Sequence, residues 1–268
     1  MKSNKLLTIN HSYFDKALRV YLDNKPTFLA FIRPKEASFF NALLPYKEPV
    51  MDFGCGDGFF RFVSNLGSAQ KFDIGLEVNR ERARIARKAG VYKKVVTYDG
   101  KQIPFQDEKF FTIVSNSVME HIVDVDNSIR EIYRVLAKDG SFYVSVMADQ
   151  YEENLLGTIL LGVLYRKWMR KKAYHFSLLS QYEWEKKFQE VGFKIQQRVG
   201  YMSRKNTRFL DLMQYLSIPA IILSTRFPFG SRLYYRTMGL LLNRFIKHNI
   251  LSEKNSGNCS AYFYILTK

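Results

Sequence analysis

The stretch Pro49-Val50-Met51-Asp52-Phe53-Gly54-Cys55-Gly56-Asp57-Gly58 sets a short apolar run immediately before three glycines at alternate positions. An apolar strand that runs into a glycine turn and then a helix can bring its backbone close to a ligand. Asp52 puts a carboxylate at the end of that strand, where a pyrophosphate would be repelled. A nicotinamide-type turn, Gly-x-Gly-x-x-Gly, would also need a glycine where this chain has Phe59. The turn therefore suits a ligand that carries an ammonium group and no pyrophosphate.

Reading outward, Phe59 to Leu66 has the pattern of a helix, and Lys71 to Leu76 that of a strand ending at Glu77. Glu77 lies about 20 residues past the last glycine, the spacing at which an acid reaches a ribose in a nucleotide-binding βαβ unit. A carboxylate there accepts hydrogen bonds from both ribose hydroxyls; its rival reading is a solvated acid in a strand-end loop. Asn79 to Ala89 reads as a basic helix stopped by Gly90, and Val95 to Tyr98 as the next strand. Asp99-Gly100 follows, an acid placed to accept from an adenine amino group, or a turn aspartate favoured for local reasons alone. Phe110 to Ser115 is a fourth strand, followed by Asn116 to His121. Val123 to Ala137 is a helix ended by Asp139-Gly140, and Ser141 to Val146 is a fifth strand. Strands alternating with helices imply a mainly parallel sheet with ligands at the carboxyl ends of the strands. Every polar residue singled out so far falls at such an end.

With these residues together, the chain resembles the class I S-adenosylmethionine-dependent methyltransferases. The resemblance rests on Val50 to Gly58, Glu77, Asp99-Gly100 with Ile103-Pro104-Phe105, and Met119-Glu120-His121-Ile122, and continues through Leu136 to Gly140 and Glu190 to Phe193. It implies an α/β fold, Rossmann-like and doubly wound, with a mainly parallel seven-stranded sheet. The last strand, Ala261 to Thr267, would be an antiparallel edge. The implied cofactor is S-adenosyl-L-methionine, with S-adenosyl-L-homocysteine as product. Backbone and side chains at Gly54, Cys55, Gly56 and Gly58 would cradle its methionine moiety, with Asp52 near the amino group and Asn116 completing the pocket. Glu77 would bind ribose, and Asp99-Gly100 would contact adenine. No metal-ligand cluster is visible, so none is expected. No Asn-Pro-Pro-Tyr-type turn follows the fourth strand, which argues against amino methylation of DNA bases.

Methyl transfer from a sulfonium draws most of its catalysis from positioning and water exclusion. A hydroxyl or amine acceptor can still need a general base. His121, just past the fourth strand, is the first candidate, against a reading in which it only shapes the pocket. His175, in Tyr174-His175-Phe176-Ser177, is the second, if that stretch enters the site.

The remaining sequence surrounds this nucleotide fold. Residues 1–47 mix aromatic and charged residues at spacings that fit two or three short helices, the last from Pro34 to Leu44, and form a cap over the mouth of the site. Arg33 reads as a surface arginine, with a carboxylate in the site as the alternative. The methyltransferase domain then covers 48–268, with insertions at about 150–180 and 200–258. In the first, the apolar run Leu155 to Leu164 leads into Arg166, Lys167, Trp168, Arg170, Lys171 and Lys172. In the second, an apolar stretch at 209–223 precedes a mixture of arginine, tyrosine and aliphatic residues through Lys247. Such segments suit either a lid over the substrate or the interface of an anionic membrane.

Among 268 residues, 41 are Lys or Arg and 25 Asp or Glu, a net charge of +16 that attracts polyanions. The long aliphatic runs disfavour nucleic acid as the partner. Cys55 and Cys259 alone give no disulfide framework, so a reducing, cytoplasmic setting is expected, with peripheral attachment at the inner face of the membrane as an option. Met1 to Phe14 lacks the apolar stretch of a signal peptide. The function implied is methyl transfer to a small-molecule or lipid-like acceptor at oxygen. A catalytically inactive binding protein of the same fold is the alternative, and an RNA methyltransferase the third reading.

Overall fold

The computed structural model describes residues 9–218, 222, 228–253 and 259–268. The apolar and basic run expected at 219–221 and 223–227, the end of the second insertion at 254–258 and the first eight residues lie outside these. The first three helices, α1 (His11–Asn24), α2 (Thr27–Ala30) and α3 (Arg33–Asn41), precede strand β1 (Val50–Phe53). Then come α4 (Phe59–Ser64), β2 (Phe72–Glu77), α5 (Arg80–Ala86), β3 (Tyr92–Thr97), β4 (Phe110–Asn116), α6 (Val125–Val135) and β5 (Leu136–Met147). The chain continues through α7 (Gln150–Asn154), α8 (Leu156–Ala173), α9 (Gln181–Val191), β6 (Lys194–Tyr201), α10 (Arg204–Leu216), α11 (Pro228–Leu251) and β7 (Ala261–Thr267).

The seven strands are ordered β3-β2-β1-β4-β5-β7-β6, and β7 runs antiparallel to both of its neighbours. β7 is thus interior, and β6 forms the edge expected of the last strand. β1 is buried along its whole length between β2 and β4, as its apolar composition requires of a central parallel strand.

Alternation along the strands feeds two cores. Val50 and Phe263 face one with α1, α3 and the insertion helices, while Met51, Phe53, Tyr262 and Tyr264 face the other with α6 and α9. In α1, Tyr13, Phe14, Ala17, Leu18, Tyr21 and Leu22 form the buried stripe, and Asn10 caps the helix by accepting from the Tyr13 N–H at 3.1 Å. α1 packs on α11, and α10 packs on α2 and α8. The N-terminal helices and the second insertion therefore cover the same face of the sheet.

Helix α6 ends at Val135, earlier than Asp139-Gly140 would suggest. Asp139 has φ +59° inside β5, and pairing with β4 jumps from Leu136 opposite Phe110 to Ser141 opposite Thr112. The residues read as a helix stop are a bulge in the strand.

Candidate functional site

A cavity of about 970 Å³ opens where β1, β2, β3 and β4 end, and the N-terminal helices close one side of it. At the end of β1 the chain turns sharply: the N–H groups of Gly54 and Cys55 both donate to the Leu76 carbonyl, at 2.9 and 3.0 Å. Gly54 has φ +73°, and a Cβ there would come within 2.5 Å of Val118. Gly56 donates its N–H to Glu77 Oε2 at 2.8 Å, and a Cβ on it would meet nothing within 4 Å. The Asn79 N–H donates to Glu77 Oε1 at 2.9 Å. Two backbone donors thus hold the Glu77 carboxylate rigid at the cavity wall, and each oxygen keeps a lone pair for a further donor.

Asp99 accepts from the Lys101 N–H at 2.9 Å, which holds its carboxyl below the usual range. It is both a turn aspartate and a cavity residue, so its two sequence readings are compatible. Gly54, Cys55, Gly56, Glu77, Asp99, Gly100, Asn116 and His121 all line this one cavity.

Three sequence candidates fall elsewhere. Asp52 shares the face of Val50 by strand alternation, and there it meets Arg61 (2.7 Å) and accepts from the Tyr92 hydroxyl (2.6 Å). It is buried beneath the turn and does not line the cavity, which corrects its assignment to a ligand ammonium group. Gly58, at φ +79°, opens α4, and a Cβ there would strike Ala89 at 2.8 Å; it permits close packing and touches no cavity space. His175 is buried behind His121, the two rings stacked at 5.1 Å, with Tyr151 edge-on at 5.5 Å. It supports the cavity wall and does not reach the cavity.

Arg33, read from sequence first as a surface residue, is instead a cation that lines the cavity, as Lys25 and Arg82 also do. Its Nη1 donates to Glu36 Oε2 at 2.6 Å and to Ser117 Oγ at 2.7 Å, and the side chain, 22% exposed, lines the cavity. Glu36 is fully buried and also accepts from Tyr201 (2.8 Å), Asn116 (3.1 Å) and Ser117 (3.3 Å). Ser145 Oγ donates to Asn116 Oδ1 at 2.7 Å and accepts from the Ser117 N–H at 3.1 Å, fixing the end of β4. The available signal was Glu36 three residues after Arg33, a pair that faces one way on a helix. Lys25, paired with Asp57 at 2.8 Å and lying 4.3 Å over the Phe59 ring, also lines the cavity and gave no such signal.

His121 Nδ1 lies 3.1 Å from the Tyr174 carbonyl. A carbonyl only accepts, so Nδ1 carries the proton and Nε2 of the neutral ring is left as an acceptor. Desolvation by the cavity walls lowers the His121 pKa, against the smaller opposing pull of the Tyr174 carbonyl. Next to it, Glu120 is fully buried with neither oxygen hydrogen-bonded, and burial pushes its pKa up to about 7.

The donor set matches a nucleoside joined to an amino acid. Glu77 offers paired acceptors for a diol, Tyr98 and Val78 offer apolar surface for a base, and Arg33 offers a cation for a carboxylate. Gly56 leaves open space between them.

The family model described as a methyltransferase domain matches residues 19–198. Among curated proteins, an uncharacterized protein of Methanocaldococcus jannaschii is 29% identical over 147 residues, covering 54% of this chain and 63% of that protein, less than two thirds of its length. A ubiquinone biosynthesis O-methyltransferase of Chelativorans sp. is 26% identical over 184 residues, covering 65% of this chain and 72% of that protein. Among solved structures, a methyltransferase of Thermotoga maritima described as a possible histamine N-methyltransferase superposes with a TM-score of 0.58 at 18% identity, covering 96% of this chain and 99% of that one. The fold, the cavity at the strand ends and the matched domain together place this chain in the S-adenosylmethionine-dependent methyltransferase family.

Proposed function

We propose that this protein methylates an oxygen of a small-molecule or lipid-like acceptor, with His121 as the general base. The observation that carries this reading is His121 itself. It lines the same cavity as Glu77, Asp99 and Arg33, with Nδ1 committed to a carbonyl and Nε2 left to accept. S-adenosylmethionine supplies an electrophilic methyl group when bound. Glu77 would hold its ribose, Asp99 with Gly100 its adenine, Gly54 to Gly56 and Asn116 the methionine backbone, and Arg33 the carboxylate. Cys55, in the same turn, is a desolvated neutral thiol and contributes shape. Tyr21, Leu29 and Tyr174 line the same cavity and would set the acceptor against the cofactor end, since positioning supplies most of the rate in such a transfer. His121 Nε2 takes the hydroxyl proton as the acceptor oxygen becomes nucleophilic. The ubiquinone O-methyltransferase relatives support oxygen as the acceptor atom.

Titration calorimetry of S-adenosylmethionine into the purified protein tests the cofactor half, and Glu77→Ala is expected to weaken binding about 100-fold or more. Formation of S-adenosylhomocysteine with lipid and metabolite extracts tests the acceptor half. His121→Asn is expected to bind cofactor normally and lose about 10² to 10⁴ in kcat. In the wild type, kcat/KM should fall as pH drops through a value below the ordinary imidazole range, because protonation removes the acceptor at Nε2. That acid limb should be absent from His121→Asn. Cofactor binding without turnover on any extract would leave a binding protein of this fold, and turnover on RNA alone would replace the small acceptor with a nucleic acid.

A further inference from the structure

Helix α8 is broken at Gly162, whose φ of +65° and ψ of −146° are not helical. The chain folds back there. Gly157 and Tyr165 would lie about 12 Å apart along a straight helix, yet the Tyr165 ring covers Gly157 so closely that a Cβ on the glycine would overlap it at 2.2 Å. One carboxylate of α10 ties both sides together: Asp211 Oδ2 accepts from the Gly157 N–H at 2.9 Å, and Oδ1 accepts from the Tyr165 hydroxyl at 2.6 Å. The segment between these anchors, residues 159–164, is exposed at every position, with Leu160 at 71% and Leu164 at 80%. It is a projection pinched at its base, with an apolar tip whose large side chains are 51 to 80% exposed. Past the tip, Trp168 is 48% exposed with Lys172 Nζ 4.7 Å from its ring, and Lys167 and Lys171 are exposed beside it.

We propose that this projection docks on an anionic lipid bilayer, the tip entering the acyl boundary and the collar of Lys167, Lys171 and Lys172 meeting the headgroups. An aliphatic tip, a half-exposed tryptophan and a cationic collar, in that order, match the depth profile of a membrane interface. The charge argues for lipid over a second copy. A self-complementary contact through the tip would set two cationic collars against each other in a protein of net charge +16. Among the described residues no helix is long and apolar enough to cross a membrane, so the attachment is to one surface. The same helix runs on to Ala173, which with Tyr174 forms part of the cavity wall, so docking would hold the cavity close to the lipid.

Flotation with phosphatidylcholine vesicles, with and without phosphatidylglycerol, tests the docking. The wild type should bind the anionic vesicles about tenfold or more tightly than the neutral ones and be released by salt. Its emission should shift to the blue from Trp168, since Trp184, the other tryptophan, is fully buried in both states. Leu160→Asp with Leu164→Asp should abolish binding and shift together, and Lys167→Glu with Lys171→Glu should weaken binding about tenfold or more. Calorimetric cofactor affinity should be unchanged in both variants, which separates failure of docking from failure of the methyl-transfer reading. Equal binding to both vesicle types, no binding by the wild type, or a dimer dissolved by the leucine substitutions would overturn the proposal.

Discussion

Two arginine–carboxylate pairs lie near the glycine turn, and they do different work. Arg61 and Asp52 meet at 2.7 Å beneath the turn, sealed by the Tyr92 hydroxyl and by the rings of Phe40, Phe60 and Phe72 around the guanidinium. Arg33 and Glu36 meet at 2.6 Å within α3, with Arg33 at the cavity wall and only Glu36 fully buried. The chemistry of the contact is the same in both. What differs is whether the cation keeps donors open to a cavity: one pair ties a helix to the central strand, and the other presents charge to the cavity.

The largest effect expected from this difference is on stability. Arg61→Leu leaves Asp52 as a buried charge held only by Tyr92 and should cost about 3–5 kcal/mol in urea unfolding. An Arg61→Leu protein that keeps its stability but loses cofactor affinity would reverse the roles of the two pairs.

Glu120 sharpens the contrast, because it is a buried carboxylate with no hydrogen-bond partner on either oxygen. Burial comes first among the causes that raise it to about 7. The folded state therefore keeps a proton that the unfolded chain releases at the ordinary carboxylate value. Below that value both states are protonated and no difference arises. Stability is lost as pH climbs toward 7, by on the order of 3 kcal/mol in all. Glu120→Gln should remove most of that loss, seen as a smaller fall in unfolding free energy between pH 5 and pH 8 than in the wild type. An unchanged pH dependence in Glu120→Gln would mean that another group carries it.

The smallest effect belongs to the open pair. Arg33→Gln should weaken S-adenosylmethionine by about 10- to 100-fold in calorimetry. Its unfolding free energy should change by no more than about 1 kcal/mol, since Glu36 keeps Tyr201, Asn116 and Ser117 as donors. A large loss of stability with unchanged affinity would make both pairs structural.

The cavity's acid side could be read in advance because its cues are local. Glu77 and Asp99 stand at strand ends that alternating patterning locates, and Gly54 and Gly56 mark the turn that backbone conformation demands. The sheet followed for the same reason, since each apolar strand is bounded by its own turn chemistry. Asp139-Gly140 was misleading because a left-handed aspartate before glycine serves a strand bulge as readily as a helix stop. Asp52 was misleading because its position at the strand end agrees with either face. Only the pleat, counted from Val50, sends it away from the cavity.

By itself, then, the order of residues determined the alternating sheet, the glycine turn and the acids at the strand ends, all set by interactions within a few residues of each other. Tertiary structure alone decided which charges meet. Arg33 reaches Ser117 across 84 positions, Tyr201 reaches Glu36 across 165, and Asp211 closes the projection of α8 from 46 and 54 positions away. Hydrogen bonds in a buried network must be satisfied by whatever donor the packed layers bring near. That donor is selected by the shape of the assembled core, which no local pattern encodes.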